Sequence, residues 1–174
     1  MTEPLSWSVR VIDIPEAGLR ETRAAGEAER AVVAEALEVL GCERLDASYT
    51  VRAIGRGAYR LHGKVKATVK QSCVVTLEPL EQKVEGDFDV EFRPAGKLPA
   101  VTDEEELEAL NAAEIEPLEH GLVETGRIIF ETLSAAVDPY PRAPGAELEA
   151  GGVEAGGQPA AGPFAALKAL KDRS

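Results

Sequence analysis

The sequence predicts an α+β domain, a curved antiparallel sheet packed with two helices, and three observations carry that prediction. Apolar and polar residues alternate over long runs between Glu43 and Pro94. Two stretches, near Glu27 and beyond Pro117, carry apolar residues at helical spacing. Gly and Pro mark the junctions between these segments. At 174 residues the chain suits one domain with appendages.

The run LSWSVRVIDIP, from Leu5, alternates and ends at Pro15, as a first strand does. From about Glu27, EAERAVVAEALEVLG sets Ala28, Val32, Ala36 and Leu40 on one stripe with Val33 and Leu37 beside it, and Gly41 takes the terminating position. ERLDASYTVRAIGRGAYRLHGKVKATVKQ then reads as two strands joined at Gly55-Arg56-Gly57, and EQKVEGDFDVEFRP as a strand ending at Pro94. A flexible acidic loop follows from Pro94 to Glu116, with EEELEALNA a short frayed helix inside it. Pro117 opens the second helix, whose stripe is Leu118, Leu122, Thr125, Ile129 and Leu133 and whose end is set by Pro139 and Pro141. The domain therefore covers residues 1–141. Residues 142–162 form a flexible linker spanning on the order of 25 Å. Residues 163–174 form a C-terminal docking segment, with Phe164, Leu167 and Leu170 at every third position, too short to be a stable free helix.

A net charge of -12 argues on average against nucleic-acid binding, but the charge is unevenly distributed. Residues 101–119 hold eight acidic side chains and no base, while residues 44–70 hold seven bases against Asp46. The acidic run reads either as a solvated loop or as a contact for a basic partner such as a ribosomal protein. Two cysteines, no N-terminal hydrophobic run and no apolar stretch near the ~20 residues of a membrane span point to a soluble cytoplasmic protein without membrane contact.

Cys73 is the one residue that invites a chemical reading. Strand parity puts it with Leu61, Val65, Ala67, Val69, Val75 and Leu77 on the apolar side, which makes it a buried small hydrophobe. Cys42, His62 and His120 lie in unrelated elements, without metal-ligand spacing, so neither a metal nor another cofactor is expected. No base or orienting group accompanies the thiol, which leaves a Cys73-dependent enzyme as the weakest reading, and no small-molecule substrate is evident.

CVVTLEPL, a strand ending in FRP, an acidic loop leading to Glu116-Pro117, a helix, DPYPRAPG and a terminal PFAALKALK together resemble the YceD family, bacterial and plastid proteins implicated in accumulation of large-subunit ribosomal RNA. Cys73, Leu77, Glu78 and Pro79 carry the motif, with Pro79 read as a strand terminator and Glu78 near the exposed edge. Many members have a second cysteine where Thr76 stands and further cysteines after the helix, which implies zinc in those branches; here DPYPRAPG replaces the later ones. The resemblance implies a non-enzymatic ribosome biogenesis factor whose partners are ribosomal RNA or large-subunit assembly intermediates.

Alternation suggests how such a factor makes contact. Arg60, His62, Lys64, Lys66 and Lys70 share one face of a strand, and Arg52 and Arg56 extend it, a stripe of the kind that tracks phosphates. Only Tyr49 and Tyr59 are at hand to stack on bases, so sequence-specific readout is not expected. The competing arrangement places Glu85, Asp87, Asp89 and Glu91 of the next strand beside the stripe and neutralises it. The contact is then made through protein partners alone, by way of the acidic loop and tail.

Overall fold

The computed structural model describes residues 4–94 and 114–146. The acidic run up to residue 113 with its expected short helix, most of the linker, and Phe164, Leu167 and Leu170 lie outside the described residues. Met1–Ala143 is one compact unit. Its elements are β1 (Val9–Arg10), a 3-10 turn, β2 (Leu19–Ala24), α1 (Glu27–Ala36), β3 (Gly41–Gly55), β4 (Ala58–Ser72), β5 (Pro79–Pro94), β6 (Glu114–Leu118), β7 (Leu122–Val123) and α2 (Thr125–Ala136).

The main sheet runs β2-β3-β4-β5-β6, antiparallel except for the parallel pair β5 and β6. Alternation fixes its inner face. Leu45, Ala47, Tyr49 and Val51 of β3, Leu61, Val65, Ala67 and Val69 of β4, and Val84, Phe88, Val90 and Phe92 of β5 are all buried. Against them pack Val33 of α1 and Ile128, Ile129 and Leu133 of α2. Two glycines admit close neighbours: on the inner face of β4 a Cβ on Gly63 would lie 2.7 Å from Tyr49 Cβ and 2.8 Å from Phe88 Cζ, and in α2 one on Gly126 would strike the Leu5 carbonyl.

Three expectations need correction. Only Val9–Arg10 of the N-terminal run pairs as a strand, with Leu122–Val123. Leu5 and Trp7 are buried without a sheet neighbour because the segment passes the start of α2, where the Gly126 amide donates to the Trp7 carbonyl at 2.8 Å. Helix α1 closes at Ala36, not at Gly41. Glu38 takes the left-handed turn (φ 54), donating to Glu35 O at 3.1 Å while Val39 donates to Ala34 O at 3.0 Å, a Schellman closure that leaves Val32 and Leu40 exposed. Pro117 lies in β6 rather than opening a helix. An edge strand tolerates a residue without an N–H as well as a helix start does, and α2 begins only at Thr125, after a left-handed turn at His120 and Gly121.

Candidate functional site

The other face of the sheet bears no helix among the described residues, since both helices pack on the inner side. Its middle is a ladder of opposite charges. The register sets Lys64 across from Asp87 and Lys66 across from Glu85, and each pair closes at 3.0 Å. Lys70 bonds Glu43, a partner brought alongside by the bulge between Cys42 and Arg44, and this holds the Glu43 carboxyl below its ordinary range. Arg44 pairs with Asp46. Arg60 reaches diagonally to Asp89 in a bidentate contact of 2.7 and 2.6 Å. That hydrogen bond lowers the Asp89 pKa and raises that of Arg60. Exposed pairs of this kind stabilise by about 0–1 kcal/mol each. Their larger effect is to cancel the stripe as a field.

The hairpin end differs. Arg52 sits directly opposite Arg60, a like-charge cross-strand pair. Gly55, Arg56 and Gly57 all have positive φ, so the turn carries an arginine where a left-handed conformation costs a side-chain-bearing residue roughly 1 kcal/mol. Arg93 of β5, on the same face, holds Glu91 at 2.7 Å. A hollow of about 390 Å³ opens here, lined by Ile54, Arg56, Ala58, Glu91, Arg93 and Pro94. The sequence reading did not single out Arg93, although its parity with Glu91 places both on one face.

Neither tyrosine offered for stacking faces this surface. Tyr49 is buried and donates to Glu21 at 2.7 Å, burial and that carboxylate pushing its pKa up to about 12. Tyr59 is half-buried on the inner side.

At the opposite end of β4, Cys73 is fully shielded but stands outside the main hydrophobic cluster. The strand stops at Ser72 and the chain turns sharply, the Leu77 amide bonding Cys73 O at 2.9 Å. Parity therefore ends at the strand, and Leu77, with φ 60, points outward rather than inward. The Thr76 amide donates to Sγ at 3.4 Å. The strap after α2 supplies a second amide, from Ala143, at 3.3 Å. The Thr76 hydroxyl and these amides hold the thiol pKa down to about 6 against the opposing effect of burial. Pro79 starts β5, paired with Ser72, instead of ending a strand, and Glu78 is exposed beside it.

A family model described as large ribosomal RNA subunit accumulation protein YceD matches residues 61–171. The chain belongs to the YceD family. No curated protein and no solved structure matches it. The matched span includes both the Cys73 turn and the strap, which lie 70 residues apart in sequence and meet at one sulfur. Zinc, implied for family branches richer in cysteine, does not fit the residues present. One thiol meets a threonine and two amide donors, and N–H groups are not metal ligands. Among the described residues no group of three His, Cys, Asp or Glu side chains is placed to hold a metal. The described residues also contain no helix long and apolar enough to cross a membrane. Arg52, Arg56 and Arg60 precede the matched span, whereas Glu91 and Arg93 at the same end of the sheet lie within it.

Proposed function

We propose that the protein is a non-enzymatic, cytoplasmic factor that supports the synthesis, processing or stability of large-subunit ribosomal RNA by holding an assembly intermediate against the sheet face opposite its helices. The family description supports the ribosomal setting. The observation that carries the mode of action is the polar face of β3, β4 and β5, with both helices packed on the opposite side. The Cys73 thiol has backbone amides and Thr76 for neighbours and no imidazole or carboxylate among its hydrogen-bond partners, which supports a structural role over a nucleophilic one. The self-neutralised ladder favours a second reading, a protein-only adaptor without RNA contact.

Depletion in the cell of origin is expected to lower large-subunit RNA relative to small-subunit RNA, and tagged protein to co-sediment with large-subunit precursors. Equal loss of both RNAs, or sedimentation only as free protein, overturns the proposal. RNase treatment of the captured particles separates the readings: the adaptor survives it, direct RNA contact does not.

A further inference from the structure

We propose that the edge strand β2 pairs with β2 of a second copy of this chain, antiparallel about a two-fold axis at Thr22, and so joins two five-stranded sheets into one. β2 ends the main sheet, and β3 is its one strand neighbour among the described residues. The Ala25 amide donates to the Leu45 carbonyl at 2.9 Å, and the register runs on from there through Ala24 with Asp46 and Arg23 with Ala47 to Leu19 with Val51. Backbone groups in an antiparallel ladder point to alternate sides, so Arg23, Glu21 and Leu19 bond β3 as Ala25 does. Arg20, Thr22 and Ala24 therefore direct their N–H and C=O groups away from the sheet, and all three residues are exposed. Such a row is a template for another strand.

The outward groups admit only registers in which positions 20, 22 and 24 face one another. Of the three registers with the most overlap, the one centred on Glu21 sets two carboxylates face to face, and the one centred on Arg23 sets two guanidinium groups face to face. The register centred on Thr22 matches charge. Glu21 then faces Arg23 of the second copy, and Arg23 its Glu21, at the non-hydrogen-bonded positions where side chains come closest. Both side chains are held in place for this contact: Tyr49 donates to Glu21 at 2.7 Å and Arg23 lies 4.9 Å from the Trp7 ring centre, while about a third of each side chain stays open to water. Charges on an edge ordinarily discourage pairing, but here each meets its opposite. Antiparallel pairing keeps the faces in line, so the helices of both copies fall on one side and the two polar faces opposite them form a single surface.

One short strand pair buries less than the roughly 1,200 Å² of a standard interface, so sedimentation of the full chain is followed from about 10 µM to about 1 mM, a range in which a monomer–dimer equilibrium is expected. Glu21→Arg and Arg23→Glu, each tested alone, place like charges at both facing positions and weaken self-association about tenfold or more. Mixing the two variants in equal amounts restores opposite charges, and association returns to within about threefold of wild type. A wild type that stays monomeric throughout overturns the proposal and leaves the edge to an extended segment of another protein. Association that both single variants leave intact, or a mixture that does not associate, also overturns it. Register is read by cross-linking in a Cys42→Ser background, Cys73 being fully shielded. Thr22→Cys sets two thiols on the axis at a Cα separation of about 5.5 Å, within disulfide reach, whereas Arg20→Cys leaves its two thiols about 14 Å apart. Thr22→Cys is expected to form the covalent dimer at least about tenfold faster than Arg20→Cys, and equal rates overturn the register. Should either charge variant fail to fold in a thermal melt, this cross-link decides alone.

Discussion

The two faces of β4 are made by one strand in strict alternation, yet they obey different rules. On the inner side Leu61, Val65 and Val69 have no solvent exposure, and a single added carbon at Gly63 meets the Ser48 carbonyl, Tyr49 and Phe88. On the outer side Lys64 and Lys66 keep well over half of their side-chain surface in water while pairing with Asp87 and Glu85. Shape therefore governs one face and charge the other. Stability resides on the first, which leaves the second free to vary its charges at little cost to the fold.

The sharpest attack on this contrast is Gly63→Ala. It is expected to cost about 3 kcal/mol in urea unfolding, because backbone and ring atoms block the new carbon, while Lys64→Ala beside it costs under about 0.5 kcal/mol. Similar values for the two would erase the distinction. Cys73→Val sharpens it at the strand's end: the Thr76 and Ala143 amides lose their acceptor, and the expected cost is about 2 kcal/mol. Cys73→Ser retains an acceptor and costs about 1 kcal/mol. A purely apolar site would reverse that order.

On the outer face, Lys64→Glu with Lys66→Glu sets like charges opposite Asp87 and Glu85 and is expected to cost about 1 kcal/mol after solvent screening. Exchanging Asp87 and Glu85 for lysine in the same chain should restore the melting midpoint; failure to do so breaks the ladder assignment.

The smallest effect is a slope with pH. The Cys73 thiol is held at about 6, below its ordinary 9, so folding favours the thiolate. Its contribution grows as pH rises from about 6 towards 9 and is lost as pH falls through 6. The denaturation midpoint of wild type should rise across that window relative to Cys73→Ser, and parallel curves would remove the amide nest from the account.

Parity within a strand is local, which is why the inner set from Leu61 to Val69 and the acids of β5 were legible in sequence. Their pairing was legible only as one of two arrangements, because register depends on the turn between strands, and the turn at residues 73–78 is where alternation ceases to apply. Diagonal and bulge-dependent partners, Arg60 with Asp89 and Lys70 with Glu43, had no sequence signal at all. Pro117 misled because a missing N–H suits two elements equally. Glu38 misled because glycine is the usual left-handed terminator and Gly41 stood close by.

The chain has one tryptophan, and its surroundings make it a selective reporter. Trp7 donates to Glu29 at 2.6 Å, and the Arg23 guanidinium lies 4.9 Å from its ring centre. Arg23 is in register with Ala47, so the indole's neighbourhood lies roughly 26 Å along β3 from the Gly55 turn. Intrinsic fluorescence should thus follow release of the N-terminal segment from α1 and β2, and stay silent to changes at the Gly55 turn. A measurement read from this indole would miss events at that end of the sheet, whereas a dye placed near Ile54 would see them.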